Sequence, residues 1–143
     1  LLVFNLTFTM KQIFLLCGLC LILSACTSKH EKAVELYKSG LRKMYNYQKD
    51  EALMDFNKAI ELDPLYEQPY FCRGNIKYGN TDYQGALADY SKAIEVNPGF
   101  ADAYANRGNL YESINQRDKA CADWIKADEL GKENLSDKIR NCR

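Results

Sequence analysis

The chain has little of what enzymatic chemistry requires. Histidine occurs once, at His30, four residues after Cys26 and without a set of ligand companions at useful spacing, so neither a metal centre nor a histidine general base is indicated. No glycine-rich phosphate cradle is present, and no serine, cysteine or carboxylate is presented by a recognisable catalytic motif. We therefore expect no enzymatic activity, no cofactor, no metal and no small-molecule substrate. Neither sign of charge is in excess. The 19 basic and 19 acidic side chains cancel, which excludes the broad cationic surface that nucleic acid or an anionic bilayer demands. Three prolines and eight glycines are too few to suggest more than a short linker without structure.

What is present starts near the amino end. Met10-Lys11-Gln12 supplies a start and a positive charge, Ile13 to Leu23 is a mostly apolar run of eleven residues, and Leu23-Ser24-Ala25-Cys26 closes it. That order reads as an export signal, and the run falls short of the about 20 apolar residues a membrane span needs. The tetrad ending at Cys26 resembles the lipobox of bacterial lipoproteins. The resemblance implies that residues 1–25 are removed, with 1–9 upstream of the true start, and that Cys26 carries acyl chains such as palmitate. An uncleaved anchor helix is the alternative. It is disfavoured because Lys11 interrupts the combined run, and a charge near mid-span costs roughly 2.5 to 3.5 kcal/mol. Acyl burial contributes about 0.8 kcal/mol per methylene, so several chains would hold a small domain on a membrane. Thr27 stands where an aspartate would retain such a lipoprotein at the inner membrane of enterobacteria. The resemblance therefore implies the outer membrane, with its face undetermined. Residues 26–32 read as lipidated cysteine and tether.

The rest of the sequence matches itself at a spacing of 34 residues, giving units 33–66, 67–100 and 101–134. Gly40, Gly74 and Gly108 fall in register, as do Ala52, Ala86 and Ala120, and Ala59, Ala93 and Ala127. Large residues recur beside them as Phe56, Tyr90 and Trp124. Small side chains mark places where helices approach closely, and the aromatics are the knobs that fill them. Apolar residues three and four apart, such as Ala52, Phe56, Ala59 and Ile60, predict amphipathic helices. Pro64 and Pro98 end the second helices of their units, and Pro69 sits where a first helical turn tolerates it.

Period, small residues and aromatics together resemble the tetratricopeptide repeat, over about 100 of the 143 residues. The resemblance implies an all-α fold, a right-handed superhelical array of three antiparallel helix pairs. Gly131 replaces the proline pattern in the third unit and suits a left-handed helix end. Residues 135–143, with Leu135 and Ile139 four apart, read as a capping helix, because the last unit otherwise shows its apolar face to water.

In such arrays the first helices line a concave surface. There this sequence places Tyr37, Leu41, Phe71, Asn75, Tyr78, Asn106, Asn109 and Glu112. Aromatic bodies offer apolar contact, and asparagine amides both donate and accept, so a protein or peptide backbone fits them. Asn75 and Asn106 match two asparagines of the carboxylate-clamp subgroup, but Phe71 occupies the place of its lysine, which argues against that role. Asp55, Asp89 and Asp123 precede Lys58, Lys92 and Lys126 by three residues and read as helix-surface pairs worth about 0.2 to 0.5 kcal/mol each. Arg73 and Arg107 are expected to reach Asp89 and Asp123 across the hairpins. Cys17 and Cys20 lie in the export signal, and Cys72 reads as a small packed residue. Cys121 and Cys142 are nearly symmetric about Gly131, so a helical hairpin sets them side by side, as a disulfide or as buried thiols. The resulting expectation is a lipid-anchored interaction module or scaffold of the bacterial cell envelope, holding a protein or peptide partner. Its rivals are a self-assembling structural lipoprotein with the groove filled by a second copy, and a non-catalytic subunit of an envelope enzyme complex.

Overall fold

The computed structural model describes residues 28–142, and the expected export signal and Cys26 lie outside them. The described residues form seven helices and no strand: α1 over 28–45, α2 Lys49–Leu62, α3 Glu67–Gly79, α4 Tyr83–Val96, α5 Ala101–Ser113, α6 Arg117–Glu129 and α7 Ser136–Arg140. None of these helices is long and apolar enough to cross a membrane. Each helix packs on its neighbours in sequence, α2 on α3, α3 on α4 and so on to α7. The result is an antiparallel array of helix pairs wound as a superhelix.

The recurring glycines explain how closely the pairs approach. A Cβ built on Gly74 would stand 2.8 Å from the Tyr90 ring, and one on Gly108 would stand 2.7 Å from the Trp124 ring. Gly40 faces Phe56 in the same way. The aromatic of each second helix thus lies directly on the glycine of its first helix, and Phe56, Tyr90 and Trp124 are at most 3% exposed. The alanines at 52, 86, 120, 59, 93 and 127 are wholly buried where neighbouring helices meet them. First and second helices are joined by turns that reverse through the left-handed region at Tyr47, Thr81 and Asn115, with φ of 62°, 62° and 58°. Asparagine tolerates that conformation, whereas tyrosine and threonine carry a steric cost. After α6 the same region is taken by Gly131, with φ of 86°.

Two expectations need correction. Residues 28–32, read as tether, are already part of α1. His30 hydrogen-bonds through Nδ1 to Asp63 and stands edge-on to Tyr66 at 5.4 Å, so it fastens α1 to the turn between α2 and α3. The second correction concerns the aspartates, which are not on the helix surface. Asp55, Asp89 and Asp123 are 6, 3 and 6% exposed, and Lys92 and Lys126 pair with Glu95 and Glu129 instead.

Each aspartate turns inward because the first helix of its own unit offers a cation. Arg73 donates through Nε and Nη2 to Asp89 at 2.9 and 2.6 Å, and Lys77 adds a contact of 2.9 Å. Arg107 holds Asp123 in the same two-pronged manner, at 2.8 Å for both bonds. In the first unit Lys43 reaches Asp55 at 2.7 Å. Burial pushes the Asp55 carboxyl up, but the hydrogen bonds from Lys43 and Ser39 and the charge of Lys43 outweigh it, so the group ionises below its ordinary range. The arginines also reach back, to Asn57 of α2 at 2.6 Å and to Ser91 of α4 at 3.1 Å. Each thus ties its unit to the preceding one. A buried carboxylate is tolerable only with such complete pairing.

Replacing Gly74 by alanine is expected to destabilise the chain by about 1 to 3 kcal/mol, since the Tyr90 ring cannot leave without opening the hairpin. Gly79→Ala, at an exposed helix end with nothing within 4 Å of its Cβ, is the control and should change little. Urea unfolding of the two variants measures the difference.

Candidate functional site: the surface of the first helices

The side chains expected on the concave surface fall into two groups. Tyr37 and Phe71 serve largely as packing. Tyr37 lies tilted on Phe56 at 6.1 Å and edge-on to Tyr66 at 5.4 Å, and Phe71 packs on Phe100 at 4.9 Å and Tyr90 at 6.0 Å. Both are half-buried and fill gaps between helices. Leu41 is 37% exposed. It holds the register position that Asn75 and Asn109 hold in the later units, so the surface is apolar at the first unit and amide-rich beyond it.

The remaining predicted residues fall into three hydrogen-bonded groups. Asn75 Oδ1 accepts from the Tyr90 hydroxyl and from Asn106 Nδ2, each at 2.8 Å, which uses both of its lone pairs. Asn109 Oδ1 accepts from the Trp124 indole at 3.1 Å. Ser113 donates to the Asn109 carbonyl at 2.9 Å, which leaves the Tyr78 hydroxyl to donate to Ser113 Oγ, also at 2.9 Å. Two bonds, Asn75 to Asn106 and Tyr78 to Ser113, therefore join α3 directly to α5. Glu112 accepts from Lys138 of α7 at 3.1 Å.

This wiring orients the amides. With Asn75 Oδ1 occupied from within, its NH2 group and the carbonyl oxygen of Asn106 are the amide atoms left over. Neither atom has a protein partner among the described residues. Burial drives the Tyr90 hydroxyl well above its ordinary ionisation range, with Asn106 only partly offsetting it, so Tyr90 stays a neutral donor. The sequence reading missed Ser113, Lys138 and the bonds from Tyr90 and Trp124. The two aromatics were legible as knobs, but nothing in a periodic pattern shows that a knob's polar tip reaches an amide on a first helix.

Cys72 is buried beneath this surface, in the core cluster against which Tyr37 packs. Cys121 and Cys142 are joined by a disulfide with their Cα atoms 5.6 Å apart. No group of three or more potential ligands among the described residues could hold a metal ion.

This geometry, pairs of antiparallel helices repeating every 34 residues with first helices on one face, defines a tetratricopeptide-repeat fold. The chain carries such repeats. Residues 82–115 match the family described as TPR repeat, and residues 101–133 match the tetratricopeptide repeat. Among solved structures the fold is similar to the first TPR domain of Spaghetti (RPAP3) bound to the HSP90 peptide SRMEEVD. That match has a TM-score of 0.73 and 22% identity, and covers 79% of this chain and 91% of that one. The Arabidopsis OM64 TPR domain matches with a TM-score of 0.74 and 22% identity, over 80% of this chain and 97% of that one. MamA matches with 0.70 and 24% identity, over 77% and 66%. No curated protein matches the sequence.

Burial pushes the Cys72 thiol from an ordinary 9.0 up to about 11, although the Tyr37 hydroxyl pulls it partly back. The folded chain keeps this proton to about pH 11, whereas the unfolded chain releases it near 9.0. The contribution is therefore complete below pH 9 and is lost as pH rises through that window. Tyr37 and Tyr90, also raised by burial, extend the loss to still higher pH. Urea midpoints measured across this range should fall with pH, and Cys72→Ala should make the fall shallower between pH 9 and 11.

Proposed function

We propose that the chain is a lipid-anchored interaction module of the bacterial cell envelope that holds a protein or peptide partner on the face of its first helices. The observation that carries this reading is the set of amides Asn75, Asn106 and Asn109 on the first helices α3 and α5. Internal bonds from Tyr90 and Trp124 hold Asn75 and Asn109 in place, and Asn106 is bonded to Asn75. Side chains already fixed lose little rotamer freedom on binding, which favours affinity. Tyr78 adds an aromatic body beside them, and Leu41 offers an apolar contact at the first unit. One structural neighbour, the Spaghetti (RPAP3) domain, was solved with a peptide bound, which supports peptide holding by this fold.

The envelope location rests on the sequence, on the lipobox-like tetrad ending at Cys26 and the apolar run before it. In this reading the acyl chains fix the domain to a membrane, the outer one by the residue that follows Cys26. Head-to-tail stacking of copies is opposed by the structure's first unit. Pro69, Cys72 and Ile76 are buried against α2, but their register counterparts Glu35, Lys38 and Arg42 on α1 are charged and exposed. An apolar helix end would find no complement there.

A photoreactive side chain at Tyr78 should crosslink a distinct protein in intact cells, and one at Lys92 on α4 should not. Equal capture from both positions, or capture of this chain alone, would sink the groove reading. Labelling of growing bacteria with an alkyne-bearing palmitate analogue should mark the wild-type protein and not its Cys26→Ala variant. Absence of label from the wild type would instead mean an unacylated chain.

A further inference from the structure

The carboxyl end of the array is held by a covalent bond where the rest is held by packing. α7 has only five residues and buries none of them. A helix that short does not persist in water by itself. Its non-covalent attachments are few. Leu135, just before it, joins the core made by Ala105, Ala120, Trp124 and Ala127, and Ile139 packs against the edge of that cluster. Lys138 lies 4.4 Å above the Trp124 ring and bonds the exposed Glu112 at 3.1 Å. Arg117 donates to the Asn141 carbonyl. Exposed ion pairs of this kind hold weakly. The Cys121–Cys142 bond is the remaining tie, and both cysteines are half-buried.

We infer that this disulfide is a redox clasp on the carboxyl end of the binding face: when a dithiol reductant opens it, α7 leaves α6, Lys138 releases Glu112, and the Trp124 face opens to solvent. The exchange is balanced. A thiolate of the reductant attacks one of the two sulfurs, and its second thiol resolves the mixed disulfide. Two electrons and two protons pass to Cys121 and Cys142, which become thiols, while the reductant closes its own disulfide. Cys72 does not interfere, since it lies in a different core cluster beside Ala52, Phe56 and Ile76. In the closed form Glu112 is neutralised by Lys138, and in the open form the third unit presents a bare carboxylate and an apolar face to any ligand. That last consequence rests on the proposed partner-holding role, whereas the clasp itself does not.

Trp124 is the only tryptophan in the chain, so its fluorescence reports on the clasp directly. Acrylamide quenching of the full chain should be low when oxidised and rise several-fold after dithiothreitol. Far-UV circular dichroism should lose no more than one five-residue helix. The Cys121→Ser, Cys142→Ser double variant should quench at the reduced level with or without dithiothreitol. Equal quenching of oxidised and reduced wild type would overturn the inference, since α7 then stays docked without its bond. A cooperative loss of the whole helical signal on reduction would overturn it as well, because the bond would then staple the entire fold. No partner enters this measurement, so its failure is distinct from failure of the crosslinking experiment.

Discussion

Gly40, Gly74 and Gly108 each lie against an aromatic ring, and the separation of the helices in each pair follows from that contact. A single methyl group at any of these positions would meet ring carbons at less than 3 Å. Because the rings sit directly on backbone, the two helices of a unit come close enough for a side chain on one to reach a buried group on the other. The aspartates at 55, 89 and 123 exploit that closeness. They are desolvated by the same approach that brings Lys43, Arg73 and Arg107 to them, so burial and compensation arise together. Without the glycines the cations would fall short and the carboxylates would be costly.

The same aromatic rings join the packing to the surface of the first helices. Tyr90 and Trp124 fill the glycine sites with their bodies and direct their polar tips at Asn75 and Asn109. A residue whose ring is required for packing thereby also orients an amide on a first helix. Phe56 has no polar tip, and in the corresponding place of the first unit stands Leu41, an apolar residue with no need of orientation. The change in character along the groove follows from a change in the knobs beneath it.

The two ends of the array are finished differently. At the amino end the positions that would receive a further helix pair carry Glu35, Lys38 and Arg42, which water satisfies. At the carboxyl end an apolar face around Trp124 is covered by a helix too short to hold itself, and a disulfide keeps it there. The difference matters for control. A charged face needs no cover, whereas a covered face can be uncovered.

Much of this was legible in the sequence, because a repeat states its own register. The glycines, alanines and aromatics at 34-residue spacing determine helix pairs, their order and their close contacts, since each recurrence is an independent copy of one packing solution. The ion pairs of Arg73 and Arg107 were readable from the hairpin fold. Tertiary structure alone decided that Asp55, Asp89 and Asp123 are desolvated and that Asp55 turns to Lys43. Spacing along one helix puts each beside a lysine three residues on, but the cation of the facing helix lies on the desolvated side and makes the stronger bond. Tertiary structure likewise decided that Tyr37 and Phe71 fill gaps, and it brought Ser113 to Tyr78 and Asn109 and Lys138 to Glu112. Periodicity assigns a residue to a face, whereas the partner it meets there depends on which neighbouring helix lies within a few ångströms.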